Sequence, residues 1–392
     1  MKNLLLVLLM VAAGITLNAQ VEYVTFGQVK QIADQNAQSM WGEIYPSGHL
    51  AIYSNKDELI GYRFTYSINQ PFPEKTALFQ TCREAHELGD SRLQWGIDNY
   101  GTIFVSARKD IGVIRDFTKA LPPHLANGFL LEDIARENLG ENISMKKAYY
   151  IDFQNQWFCY TNGNEDIYIN IFPKVMAVNK TEFLKLVGEL PFFSSPGSFD
   201  AEWDQFLNQV LQTGKSEIWI PLHDGNCKFY DWSYGCSPTA AAMLLSYWDY
   251  VSLHYSFKYT KLIDYHYQRW EAMESQWDYQ VPNVQKQLAI AMNTDTVSTG
   301  GTDRTDIAPG YASVCNTTNG YSFTCTHHDH GTDYVWYFNK IVSEIGSYQR
   351  PVHISIPGHS ECCVAYDAAT NLIGVHNTWW GSVQWINRDN LE

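Results

Sequence analysis

The chain has 392 residues, 45% hydrophobic and 15% aromatic, with a formal charge of −15. That length suggests two or three domains with sizeable cores, and the composition excludes a disordered chain. No Lys/Arg run stands out, so nucleic acid is excluded as an expected partner, and the acidic surface speaks mainly for solubility.

The opening MKNLLLVLLMVAAGITLNAQ has one Lys, a short apolar stretch and small residues towards Ala19. It reads as a signal peptide over residues 1–19, cut near Ala19. No later stretch is long and apolar enough to span a bilayer. The expected product is secreted or periplasmic, with no membrane span.

Residues 20–190 read as an N-terminal α+β domain. Phe26, Val29, Ala33, Ala37 and Met40 recur at helical spacing. HLAIYSNKDELIGYRFTYSI then predicts a hairpin turning at Ser54–Asp57. LEDIARENL is helical, KKAYYIDFQNQWFCYTNGNEDIYINIF is strand-rich with a turn at Asn162–Gly163, and KTEFLKLVGEL is helical again. PFFSSPGSFD concentrates Pro, Ser and Gly. With the amphipathic AEWDQFLNQVL it makes a linker and short helix over residues 191–214.

From residue 215 to 392 a second domain is expected. SEIWIPL is a strand, residues 239–250 are a helix, and KLIDYHYQRWEAMESQW and VPNVQKQLAIAMN are further helices. From about residue 320 the pattern turns to strands, ending in a meander of PVHISIPGHSECCVAYD, NLIGVHNTWW and SVQWIN. A helical half followed by an antiparallel β half is an α+β arrangement with a cleft between them.

The stretch DWSYGCSPTAAAMLLSYWDY sets Cys236 between Gly235 and Ser237 at a helix N-terminus. Unpaired N–H groups and the helix dipole there favour a thiolate, and Pro238 suits a first turn. His359 follows a Pro-Gly turn at a strand start, and Asn377 stands at a strand end two residues before Trp379. A hairpin joining those strands can bring Asn377 against His359. A thiolate, an imidazole and an orienting carboxamide make the Cys-His-Asn version of the acyl-transfer triad.

These motifs carry a resemblance. YGCSPTAAAMLLSYWD, RPVHISIPGHSECCVAYD and GVHNTWWG resemble the nucleophile helix, His strand and third-residue strand of papain-fold cysteine peptidases. The similarity is to the family of the double-glycine bacteriocin-leader peptidases and their secreted relatives. GVHNTWWG also resembles papain's Asn-Ser-Trp-Gly, while papain's Cys-Gly-Ser-Cys-Trp signature is absent. The resemblance implies that Cys236 is the nucleophile, His359 the general base and acid, Asn377 the orienter and Trp379 a shield over the Asn–His pair. It also implies peptide or protein substrates and no cofactor.

The family's Gln, about six residues before the nucleophile, is replaced here by Tyr230. The second oxyanion donor is then Tyr230 or Asn226, or is lacking. That departure keeps two rivals in view: a catalytically silent module binding peptide or glycan, and a thiol-dependent amidase or transferase. The N-terminal domain resembles the helix-and-hairpin propeptides of secreted cysteine peptidases. It is either such a propeptide or a substrate-binding or structural domain.

There are eight cysteines, and disulfides are open to an exported chain. Cys315 and Cys325 flank a predicted hairpin, and Cys82 and Cys159 are candidates for a second pair. Cys362 and Cys363 are expected on opposite strand faces, as is His376 relative to Asn377. His327, His328, His330, Asp329 and Asp333 cluster in CTHHDHGTDY, but adjacent loop residues seldom converge on one ion, so a polar loop is expected and no metal. Oligomeric state is not legible.

Overall fold

The computed structural model describes residues 21–392 except 152–154, 173–174, 189, 191–198, 209–216, 221–226, 256–261, 264–273, 298–299, 319, 321, 332, 380 and 392. The signal peptide, the core of the linker, Asn226 and much of the helix expected over KLIDYHYQRWEAMESQW lie outside the described residues.

The N-terminal half opens with helix α1, Phe26–Trp41. The Thr25 side chain accepts from the Gln28 N–H while Gln28 reaches back, a reciprocal cap that fixes where the helix starts. Strands β1 (Ile44–Tyr53) and β2 (Leu59–Ile68) form the expected hairpin, with Asp57 at φ 64° in its turn. Three elements follow that periodicity did not announce: helix α2 (Lys75–Glu87) and strands β3 (Tyr100–Ser106) and β4 (Ile114–Thr118). Every residue of β3 and β4 is buried. A strand covered on both faces loses the apolar–polar alternation that would betray it.

Helix α3 (Gly128–Leu139) precedes strands β5 (Ser144–Tyr150), β6 (Gln156–Thr161), β7 (Asp166–Asn170) and β8 (Met176–Val178) and helix α4 (Lys180–Val187). Gly163, at φ 92°, takes the expected β6–β7 turn.

The C-terminal half runs through helix α5 (Asp200–Asn208), strand β9 (Glu217–Trp219) and helices α6 (Cys236–Tyr255), α7 (Glu274–Ala291), α8 (Arg304–Ala312) and α9 (Tyr334–Val342). Strands β10 (Val352–Ile356), β11 (His359–Asp367), β12 (Leu372–His376) and β13 (Val383–Asn387) close it. The switch to strands therefore comes at Val352, later than expected from about residue 320. Residues 334–342 are helical because Tyr337, Phe338 and Ile341 share a buried face and the Asp333 side chain caps the Trp336 N–H.

All these strands belong to one 13-stranded sheet in the order β10-β11-β12-β13-β4-β3-β2-β1-β5-β6-β7-β8, with β9 added to β11. Strands β10 to β13 form the expected antiparallel meander. Strand β13 then pairs with β4, matching Gln384 to Thr118 and Trp385 to Phe117. The two halves thus share one hydrogen-bonded sheet as well as one apolar core. The architecture is mixed α+β, and no helix among the described residues is long and apolar enough to cross a membrane.

All eight cysteines are free thiols. Cys82 and Cys159 lie in separate apolar clusters and are not apposed. Among the described residues no hairpin joins Cys315 and Cys325: helix α8 runs on into a turn over Ser313–Thr318, and Asn319 of the expected turn lies outside the described residues. The Asn316 side chain bonds both backbone groups of Phe323, at 2.8 and 2.9 Å. The two thiols share a cavity wall without being linked.

Candidate active site

The turn into α6 is shaped by backbone that few residues tolerate. Tyr234 has φ 62° and Gly235 φ 147°. A Cβ on Gly235 would stand 2.6 Å from the Gly300 carbonyl oxygen and 2.7 Å from the Thr294 side chain, so only glycine fits. The Thr239 hydroxyl donates to the Gly235 carbonyl at 2.8 Å, and Gln285 from α7 donates to the Asp231 carbonyl at 2.9 Å. The loop is thereby held from two sides, and Cys236 becomes the first residue of the helix.

The Cys236 sulfur is almost fully buried. Burial pushes its thiol up; the N–H of Ser360, the hydroxyl and N–H of Ser237 and the N–H of Cys236 itself pull the other way. The expected lowering at a helix N-terminus is therefore present, but burial outweighs it in this closed arrangement. Ser360 is the residue after His359, and its hydroxyl is 2.8 Å from that of Ser237. The start of α6 and the start of β11 are in direct contact.

His359 follows Gly358, whose φ of 71° turns β10 back into β11, and it pairs with Ile356. Burial, with a smaller contribution from His353, pushes its imidazole down to about 3. Burial thus favours the neutral form of both the thiol and the imidazole. His359 Nε2 is 3.2 Å from the Thr378 hydroxyl. The ring stacks on Trp379 at 4.1 Å, and Trp379 stacks in turn on Phe172 at 4.7 Å. Trp379 thus covers the imidazole, and a residue of the N-terminal half covers Trp379.

Asn377 lies beside His359 with its amide turned elsewhere. Its Nδ2 donates to Glu361 Oε1 at 2.9 Å and to Gln384 Oε1 at 3.1 Å, and its Oδ1 accepts from the Trp379 N–H at 2.9 Å. Thr378 is bonded directly to the imidazole. Tyr230 is not brought to Cys236: its side chain is buried beside Ser246 and Asp249. Ser246 is ten residues along α6 from Cys236, a rise of about 15 Å.

Three participants had no place in the sequence reading: Ser360, Glu361 and Thr378. Glu361 was the most findable, because strand period two puts it on the face of His359. His376 takes the other face, stacked on Phe229 at 3.8 Å. Cys227 and Cys362 face each other with sulfurs 3.9 Å apart. The hydrogen bond with Cys362 and the nearby His376 hold the buried Cys227 thiol below its ordinary value. Cys363 turns away to the Ala365 carbonyl.

A cavity of about 820 Å³ lies along the later turns of α6 and is walled by Trp248, Tyr311, Trp336 and His353 but by none of Cys236, His359 and Asn377. In the His-rich loop, His330 stacks on Trp336 at 3.6 Å and Asp333 caps α9. Among the described residues no three His, Cys, Asp or Glu side chains gather as a metal site.

Residues 219–391 match the model described as the Peptidase_C39 like family, a span that contains Cys236, His359 and Asn377 and stops short of the N-terminal half. No curated protein and no solved structure matches the chain. Residues 219–391, less than half of the chain, are thus similar to the Peptidase_C39-like family, a likeness consistent with a cysteine peptidase of that kind.

Proposed function

We propose that the protein is an exported, papain-like cysteine peptidase whose catalytic domain spans residues 215–392, with Cys236 as nucleophile and His359 as general base and acid. The observation that carries this reading is the contact between the first turn of α6 and the first residues of β11, with the Ser360 N–H directed at the Cys236 sulfur. A thiol at a helix N-terminus beside an imidazole on a neighbouring strand is the arrangement that thiolate catalysis requires.

In the reaction the thiol proton passes to the imidazole and the thiolate adds to a peptide carbonyl. The tetrahedral oxyanion accepts from backbone N–H groups at the start of α6. His359 then returns the proton to the leaving amine, and the acyl-enzyme is hydrolysed by a water deprotonated by the same imidazole. Asn377 acts from behind, through Glu361 and the Trp379 N–H. The stack of Phe172 on Trp379 on His359 closes the site, so substrate entry requires that stack to shift. Strand β4 belongs to the same sheet as the catalytic strands, so we read residues 20–190 as a retained structural domain that covers the site.

The test is hydrolysis of a peptide library by the purified protein, with products read by mass spectrometry. Cleavage by the wild type, and none by Cys236→Ser, is the expected result. Equal cleavage by both proteins, or none by either, removes the peptidase reading.

A further inference from the structure

Glu361 occupies a position where an apolar residue would serve the fold better. It stands two residues after His359 on β11, so both side chains emerge on one face of the strand. Both are fully buried, and His359 Nε2 lies 4.0 Å from Glu361 Oε1. Oε1 is held by the Asn377 amide at 2.9 Å. Oε2 is buried and has no hydrogen-bond partner among the described residues. A carboxyl in that setting costs free energy unless it is used. An unsatisfied buried acid against an imidazole is a frequent mark of a working site.

We propose that the Glu361 carboxyl, itself oriented by Asn377, is the positioning group that faces Nε2 of His359 and stabilises the protonated imidazole during the reaction. This rests on the reading of Cys236 and His359 as nucleophile and base. The proposed order is Cys236, His359, Glu361, Asn377: a carboxyl inserted between the imidazole and the carboxamide that was expected to touch it. As the imidazole takes the thiol proton, the approach of the carboxyl oxygen at Nε2 offsets its charge, and the Thr378 hydroxyl at 3.2 Å holds the ring plane.

The other ionisable groups around the pair are few. Asp116 on β4 bears on Glu361 and is itself paired with Arg63 at 2.9 Å, with Arg115 also acting on it. His353 on β10 bears on His359, and Cys363 neighbours Glu361 on β11. Burial holds Glu361 above the ordinary carboxyl range while the site is closed. An imidazolium 4.0 Å away pulls it back down, and the carboxyl proton leaves to water admitted when the Phe172–Trp379 stack shifts. The thiol proton thus ends on His359, and a carboxylate faces it.

The experiment uses the full chain and two readouts that need no peptide cleavage. These are the pH dependence of Cys236 alkylation by iodoacetamide and the titration of His359 by NMR with labelled histidine. In Glu361→Gln, which keeps the shape and can still accept from Asn377, the imidazolium loses its partner. The acid limb of alkylation should move up by about one pH unit, a roughly tenfold slower reaction on that limb. Glu361→Asp should recover part of the shift. Thr378→Val should leave the limb in place, while altering the rate at all pH values alike.

An unmoved limb and an unmoved His359 titration in Glu361→Gln, or a shift produced by Thr378→Val alone, overturns the proposal. Circular dichroism and the melting transition of each variant separate these outcomes from misfolding. A wild type that cleaves no peptide, yet shows the Glu361-dependent shift, defeats the peptidase reading and leaves this one standing. A wild type that cleaves peptide with an unmoved limb does the reverse.

Discussion

Buried charge is treated differently in the two halves of the sheet. In the N-terminal half it is paired: Arg63 bonds Asp116 at 2.9 Å, and Arg108 bonds Glu58 at 2.9 Å and Asp110 at 2.6 Å. At the junction Arg115 of β4 pairs with Asp389, both nearly fully buried. Among the C-terminal strands, Glu361 has only an imidazole as ion-pair neighbour among the described residues. Paired ions of this kind hold strands in register, and removing one partner strands the other in a poor dielectric. An acid left without a cation beside a histidine is poised to respond to a proton. The contrast sets scaffold charge apart from the proposed site within one continuous sheet.

The sharpest way to break that contrast is at the junction. Arg115→Ala leaves Asp389 buried without its cation, although the Gly112 N–H still donates to it at 3.1 Å. A loss of about 3–5 kcal/mol is expected in denaturant unfolding, with both halves melting in one transition. Two separate transitions, with the C-terminal half unaffected, would show that the shared sheet does not couple them.

A smaller effect is expected where the scaffold touches the site. Phe172→Ala removes the ring stacked on Trp379 and should cost about 1–2 kcal/mol, because Phe172 is only partly buried. It should also speed alkylation of Cys236 by loosening the cover over His359. An unchanged rate would show that access to the thiol is controlled elsewhere.

The smallest effect concerns Glu202 on α5, which accepts from the Val113 N–H at 2.9 Å and from Asn387 at 3.4 Å and so spans the two halves. Burial raises this carboxyl from 4.5 to about 7. The folded chain therefore keeps a proton that the unfolded chain releases. The stability this provides is complete below about 4.5 and is lost as the pH rises through about 7. His353 and His359, lowered by burial to about 4 and about 3, act in the opposite sense as the pH falls below 6.5. Glu202→Gln should remove only the first component. Identical stability–pH slopes for wild type and variant between pH 5 and 7, about the window set by that shift, would contradict the assignment.

Much of this was legible in the residues. The β1–β2 hairpin, α1, the turn at Gly163 and the closing meander were visible because each shows its own period or turn chemistry. Strands β3 and β4 were hidden because both their faces are buried, and α9 was masked by aromatic residues that favour strands elsewhere. The helix start at Cys236 and the strand start at His359 were readable from their local sequence. The contacts of Asn377 were not, since spacing cannot say which way a carboxamide turns. Glu361 required knowing that the strand face opposite solvent would be completely covered. The pairing of β4 with β13 joins residues far apart in the chain, and nothing local announces it.

The central claim is that Cys236 is activated by His359. A small thiol-directed peptide electrophile, followed by mapping of the modified cysteine, tests it most directly. Adduct at Cys236 in the wild type, lost in a folded His359→Ala variant, is the predicted result. Adduct at Cys227 or another thiol in place of Cys236, or undiminished modification of Cys236 in His359→Ala, would contradict it.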